Sequence, residues 1–458
     1  MSKNLKILFI ALLALAVAVP AMAAKFTFNG DLNNRFQIYT DQQGWFTNPS
    51  INAELDDDKR SDSFGEIKYR LWTTMSTDDG AAKGVFAIEV GAVKFGQSGV
   101  GRQQGGSYSG DGVNIETRFF YTDFQIPSIE GKGRVSIGLQ PHKVNKYFWA
   151  ETAMGVKFYT DNWYVAWMRP KQQLTSSGQD WGDNDVDTFN FRYDLKAEPV
   201  KVGFFASYFY ESTDATSVAW SKAGQNEVRL FPDANFDLLA LGIDGSWSTA
   251  TNSGKLFINW DAIFETGSMD DVGVAGNDVD IQGYFLHTDI GMNFGKATVT
   301  YTFWYSSGDD NPADGDSDAF LHVDVDLFES FIFQESLTDD NVFFEGGYVL
   351  DKGIIFNKLA LDYAVDKKTK LGIAGLYLTT AEDLVWTDLA GNSYKEDGLG
   401  IEIDAYGTYK LYDNLELRFQ LAYLISDDGM DRFETDLTRN GSADVDIFKS
   451  EARVRYKF

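Results

Sequence analysis

Apolar and polar residues alternate with a period of two along most of this chain, in segments of about ten residues bounded by turn-forming residues. The last segment is the clearest. Phe458, Tyr456, Val454 and Ala452 fall on one face of an extended strand, and Lys457, Arg455, Arg453 and Glu451 fall on the other. The first such segment repeats the split: Phe26, Phe28, Leu32, Phe36 and Ile38 alternate with Thr27, Asn29, Asp31, Asn33, Arg35 and Gln37. One face suits lipid and the other suits water.

Further segments pair into hairpins with very short turns, at Asp161-Asn162, Phe294-Gly295-Lys296, Lys367-Lys368 and Asp413-Asn414. Long polar stretches rich in Gly and Asp separate the hairpins: 41–63, 96–113, 170–184, 212–232, 267–278, 307–353, 381–396 and 427–444. A brief connection near 143–148 completes the set. Short and long connections therefore alternate, which predicts an all-β fold: a transmembrane antiparallel β-barrel of about 18 strands, with 16 as the alternative. Eight short turns would lie at one end and nine loops at the other, with both termini at the turn end.

A soluble sandwich or a secreted β-helix also alternates. Aromatic residues clustered at segment ends, such as Phe119-Phe120-Tyr121, Phe148-Trp149 and Trp304-Tyr305, favour the interfacial girdles of a membrane barrel instead. Aromatics make up 15% of the chain and prolines number only 8, both in keeping with that reading.

Residues 1–23 read as a cleaved signal peptide. Lys3 and Lys6 precede an apolar run from Ile7 to Val19, followed by Pro20 and the small-residue site Ala21-Met22-Ala23. The run is short for a bilayer span, which needs about 20 apolar residues. Residues 24–458 would then form a single barrel domain in the cell outer membrane, with short turns in the periplasm and long loops outside. Outer-membrane lipid and lipopolysaccharide are the expected surroundings. The chain has no cysteine, so hydrogen bonds and burial must hold the fold without disulfides. A net charge of −28 argues against nucleic acid as a partner.

In such a barrel the inward charges set what passes. Alternation assigns to the inner face the cations Arg35, Lys68, Arg70, Arg134, Arg192, Lys410, Arg418, Arg453 and Arg455, and the anions Asp31, Glu66, Asp123, Asp194, Asp362, Glu402, Asp404, Glu416 and Glu451. If the first and last strands close the ring, Arg35, Arg453 and Arg455 share one wall with Asp31 and Glu451. That wall is either a cationic lining or a set of solvated salt bridges of small individual worth.

The acidic excess falls largely in the long stretches, as at Asp309, Asp310, Asp314, Asp316 and Asp318. A solvated acidic mouth explains it better than a Ca²⁺ site, since the spacing lacks the glycine and terminal glutamate of an EF-hand. Such a mouth would favour cations, against the basic wall. The run His322-Val323-Asp324-Val325-Asp326 aligns three candidate metal ligands, but a strand edge facing water accounts for it equally well. No cofactor is expected. Enzymatic readings need a base, and His142, His287 and His322 stand beside no evident nucleophile; no GxSxG, HExxH or phosphate-cradling motif occurs.

The segments Lys25 to Gly30, Gly110 to Arg118, Gly138-Leu139-Gln140-Pro141 and Arg453 to Phe458 resemble the bacterial outer-membrane porin superfamily, most closely the homotrimeric porins of sulfate- and metal-reducing bacteria. The resemblance implies a trimer of barrels, each with its own pore narrowed by an inward loop, and a terminal aromatic, Phe458, read by the barrel-insertion machinery. General porins use the third external loop for the constriction. Here that loop, near 143–148, looks too short, so 96–113 or 307–353 would have to serve.

Three functions follow as expectations. A passive diffusion channel for ions and small hydrophilic solutes leads, because the first strand begins directly after the cleavage site and leaves no room for a plug domain. A channel specific for sugars or carboxylates would use inward aromatics such as Trp72, Phe119, Tyr121 and Tyr406 as a track, although girdles and loop anchors explain those residues too. A structural or adhesive barrel would bridge divalent cations through its acidic loops.

Overall fold

The fold is taken from a computed structural model, which describes residues 25–40, 61–96, 113, 115–127, 133–171, 185–211, 235–272, 277–311, 315–323, 325, 327–334, 337, 351–387, 391–433 and 446–458. The signal-peptide reading and most of the stretches 41–63, 96–113, 170–184, 212–232 and 427–444 lie outside the described residues, as do Asp314, Asp324 and Asp326.

The sheet runs β1 (Lys25–Tyr39), β2 (Asp62–Ser76), β3 (Ala82–Lys94), β4 (Ile115–Gln125), β5 (Arg134–Asn145), β6 (Trp149–Tyr159) and β7 (Trp163–Lys171). It continues through β8 (Val186–Ala197), β9 (Val200–Glu211), β10 (Asn235–Thr251), β11 (Gly254–Val272), the short β12 (Asn277–Ile281), β13 (Tyr284–Phe294) and β14 (Ala297–Ser306). A two-residue β15 (Asp316–Ser317) precedes β16 (Ile354–Ala364), β17 (Thr369–Thr387), β18 (Ser393–Tyr412), β19 (Leu415–Ser426) and β20 (Ile447–Lys457).

Each wall strand pairs antiparallel with its chain neighbour, and β11 passes directly to β13, β14 to β16. Among the described strands, β12 and β15 stand outside this ring: β12 pairs antiparallel with the end of β11 and parallel with β15. The ring therefore has eighteen strands, and it closes where β1 meets β20 with Arg35 opposite Arg453. Reciprocal bonds seal the seam: Gly30 N–H donates to Phe458 O at 3.0 Å and Phe458 N–H to Gly30 O at 3.1 Å. A Cβ at Gly30 would overlap the Phe458 ring, so a side chain there would require that ring to move. Closure leaves no unpaired edge in the ring, which is what lets a sheet cross a bilayer.

The outer surface is apolar, with Phe26, Phe28, Leu241, Ile243, Leu359, Leu361, Ile401, Ile403, Phe419 and Leu421 all exposed on alternate positions. The eighteen strands, the four short turns and the antiparallel order agree with the alternation. Two stretches differ. Residues 267–278 and 381–396 are largely strand, because β11 and β17 run on to Val272 and Thr387, and β18 starts at Ser393. Acidic residues hide the period of two there. The β17–β18 ribbon is held by cross-strand pairs, Trp386 stacked on Tyr394 at 5.4 Å and Lys395 Nζ at 2.6 Å from Asp383.

Candidate functional site

The interior of the ring is divided by the chain between β14 and β16, which folds inward. Its descending leg begins where Phe320 N–H donates to Ser307 O at 3.0 Å, and Val323 N–H donates to Phe148 O at 2.8 Å. Phe320, Val323, Val325, Leu327, Phe331, Ile332, Phe333 and Leu337 are all buried. All but Leu337 belong to one cluster with inward residues that are themselves apolar: Phe205 and Phe209 from β9, Phe236 and Leu238 from β10, Phe285 from β13, Trp304 from β14, and Phe356 from β16.

Of the two stretches expected to narrow the interior, 307–353 is the one seen inside; 96–113 lies mostly outside the described residues. The short connection at 146–148 also turns inward, contrary to its length. Tyr147 lies 4.7 Å from Phe285, and Phe148 lies 6.1 and 5.8 Å from Phe205 and Phe209. Three residues suffice because two of them are large rings that reach the cluster, while the Phe148 carbonyl meets the infolded chain through Val323 N–H.

The tip of the infolded chain is gripped by carboxylates of the wall. Glu402 on β18 accepts from Ser330 Oγ at 2.6 Å, Phe331 N–H at 2.7 Å and Ile332 N–H at 3.2 Å. Glu451 on β20 accepts from Leu337 N–H at 3.2 Å, and Glu265 on β11 accepts from Leu321 N–H at 2.8 Å. Lys449 Nζ donates to Phe331 O at 2.9 Å. Glu329 pairs with Lys146 and accepts from Tyr147 Oη at 3.1 Å, tying the tip to the β5–β6 connection.

From β20 through β1 to β5 the inner wall is charged instead. Asp31 binds Arg455, Arg35 pairs with Glu66, and Arg134 donates to Asp123 at 2.7 Å. Glu89 sits among three cations: Arg70 binds it closely, and Lys68 and Arg118 lie at 3.4 and 3.6 Å. Arg118 reaches on to Glu151 at 3.0 Å. The layering is uneven, for the Glu89 side chain is 5% exposed while Arg70 and Arg118 are 29% and 25% exposed. At Glu89, Asp31 and Asp123 the carboxylate lies against the sheet and a guanidinium covers it, so at these three places the arc turns a cationic surface to the interior. Arg118 escapes alternation because it is the extra residue of a β-bulge opposite Ala87 and Ile88, whereas Glu89 shares the inward face of Val85 and Ala87 and was legible but not chosen.

Half the ring away, β10, β11 and β13 carry the opposite sign. Arg192 binds Asp244 through both terminal nitrogens, at 2.6 and 2.9 Å, and lies 2.8 Å from Asp194. Asn145 donates to Asp261 at 2.6 Å, and His287 stands between Asp261 at 2.8 Å and Asp289 at 3.3 Å. Four carboxylates thus share one arginine and one histidine.

The remaining sequence-chosen residues fall as follows. Glu402 and Asp404 point inward but are wholly covered by the infolded chain, and Glu451 is covered with them. Arg453 binds Glu416 at 3.2 Å, and Arg418 lies opposite Arg453 on β19. Lys410, paired in register with Glu416, is exposed at the turn end of β18. Tyr406, a candidate for an aromatic track, is engaged otherwise: it donates to Asp362 at 3.0 Å and meets the Phe331 ring at 5.6 Å. Asp309 is buried and accepts from Asn311 N–H at 3.1 Å, unlike a solvated mouth residue. Among the described residues no group of three or more His, Cys, Asp or Glu could hold a metal ion.

No known family profile matches the chain, and no curated protein matches it. Solved structures do. OccK9 (OpdG) of Pseudomonas aeruginosa is similar over 95% of this chain and 98% of its own, at 12% identity and a TM-score of 0.54. OpdK of the same organism, solved with vanillate, is similar over 94% and 98%, at 10% identity and a TM-score of 0.52. OccK2 (OpdF), in complex with glucuronate, is similar over 95% and 98%, at 10% identity and a TM-score of 0.54. The fold is accordingly the closed antiparallel β-barrel that these structures share. These likenesses do not reach the narrower group of homotrimeric porins that the sequence segments resemble.

Proposed function

We propose that this protein is an outer-membrane channel through which ions and small hydrophilic solutes diffuse passively. The observation that carries it is the sidedness of one closed ring: alternate residues present an apolar surface outward and, from β20 round to β5, a charged surface inward. A lumen lined by paired charges and narrowed by an inward loop filters by size and field and needs no catalytic group. The fold shared with channels supports the outer membrane as its location, reached through the signal peptide. The same reading takes the protein as a homotrimer in lipid and lipopolysaccharide, inserted through recognition of Phe458.

The test is single-channel conductance of the purified protein in planar bilayers, with reversal potential under a salt gradient. Steps of conductance closing in threes support an open trimeric channel. A protein that is folded and silent would overturn it. Reversal potential also decides between the acidic external loops, which draw cations, and the basic wall, which draws anions.

A second reading has its own observation. The guanidinium groups of Arg70 and Arg118 lie over buried Glu89, which suits a carboxylate solute, and two structural relatives were solved with the carboxylates vanillate and glucuronate. Flux of a small carboxylate that saturates with concentration would favour this specific channel; linear flux would favour the general one.

A further inference from the structure

We propose that Glu402 is a positioning residue that fixes the width of the channel by holding the tip of the infolded chain, an inference that rests on the channel reading above. Between Glu329 and Gln334 the chain makes a tight turn whose own N–H groups would be orphaned in the interior, and each finds an acceptor. Gln334 Oε1 accepts from Ser330 N–H at 3.1 Å, Ser330 Oγ accepts from Phe333 N–H at 2.8 Å, and Glu402 takes Phe331 and Ile332. One carboxylate thus satisfies two backbone donors and a hydroxyl that itself braces the turn. Removing it would leave those buried donors without an acceptor.

Position makes this grip consequential. Glu402 is on β18, whereas the next residue before the turn, Glu329, is tied to Lys146 and Tyr147 at the β5–β6 connection. The turn therefore stands between two well-separated parts of the ring and forms one bank of the space whose other bank is the charged arc. Lys449 adds a second hold on Phe331 O, with Glu451 3.7 Å from its Nζ. None of these bonds belongs to the barrel ladder. Releasing the turn should leave the wall intact and let the bank retreat.

The experiment uses the full chain in planar bilayers, with wild type beside E402A, E402Q and K449M. Heat-modifiable migration on gels reports whether each barrel is folded. The expected result is a larger or multi-level conductance for E402A, about twofold above wild type, and an intermediate one for E402Q, which keeps a single carbonyl acceptor. A folded E402A with the wild-type conductance and noise overturns the inference. A wild type that never conducts overturns the channel reading instead, so the two failures are told apart.

Cysteine labelling gives a second readout that needs no current. The chain has no cysteine of its own, so L337C places one thiol in the buried leg beyond the turn. A charged thiol reagent should label L337C about tenfold faster in the E402Q background, as an opened local equilibrium requires. Equal labelling rates in the two backgrounds would overturn the inference even if E402A did not fold.

Discussion

Arg455 Nε donates to both oxygens of Asp31, at 2.8 and 3.0 Å, across the seam where the first and last strands of the ring meet. The contact joins residues 424 positions apart, and the Asp31 carboxylate is nearly covered. Removing the arginine alone leaves that carboxylate without its main partner. R455M should therefore lower barrel stability by about 1–2 kcal/mol, discounted from a fully buried pair because Arg455 is partly exposed. D31N/R455M should cost less than the two single changes together. Denaturant titration in detergent micelles, scored by heat-modifiable migration, measures both; additive costs would show the pair to be uncoupled.

The covering of Glu89 by Arg70 and Arg118 makes a prediction about ions. R70Q/R118Q strips the cationic layer and uncovers Glu89, so the permeability ratio should move toward cations by about twofold or more. Reversal potential under a salt gradient reads it. The same shift should be smaller for R453Q/R455Q, whose partners Glu416 and Asp31 lie on β19 and β1, on either side of β20. No shift in either variant would leave these charges as wall salt bridges.

Phe320 anchors the descending leg, with its ring 5.2 Å from Phe285 and 6.5 Å from Phe148. F320A removes a fully buried ring and should weaken the inward packing by about 3 kcal/mol or more. The loss falls on the leg and not on the ladder, so limited proteolysis of the 307–353 stretch should speed up while the strands stay protected. Unchanged cleavage would mean the leg is held by its polar contacts alone.

At the turn between β16 and β17, Asp366 accepts from the N–H groups of Lys368 at 2.7 Å and Thr369 at 2.8 Å. Those bonds hold its carboxyl below the ordinary aspartate value of 3.8. A depressed value in the folded state means that the bonds stabilise the turn above that value and are lost as pH falls through the folded one. Hydrogen exchange across residues 365–370, corrected for intrinsic rates, should therefore accelerate at strongly acid pH in the wild type. D366A should show the fast exchange at neutral pH as well.

Much of the wall was legible because a membrane imposes a simple code on it. Phe26 to Ile38 and Ala452 to Phe458 must meet lipid on one face and water on the other, so strand number, short turns and ring closure could be read from alternation. The infolded chain breaks that code. Tyr284, Phe285 and Leu286 in β13 are apolar on both faces, since one face meets lipid and the other meets Phe320 and Tyr147. The same two-sided apolarity at Phe204 and Phe205, and at Leu238 and Leu239, was the available sign that something apolar fills the ring beside them. Glu402 illustrates the remaining limit. Alternation assigns its side, but only the three donors brought from 70 or more residues away show that it grips a turn. Arg118 lay beyond alternation altogether, because a single bulge inverts the parity on which the reading depends.

An eighteen-strand ring is a thin-walled tube, and such tubes yield first by flattening into an oval when squeezed from the side. Glu265, Glu402 and Glu451 fasten one inward segment to three separate staves of this tube, while Tyr147 and Phe148 of the β5–β6 connection hold it at Glu329 and Phe320. The segment that narrows the interior is thus also a cross-brace, one that ties separate staves together and resists flattening of the tube.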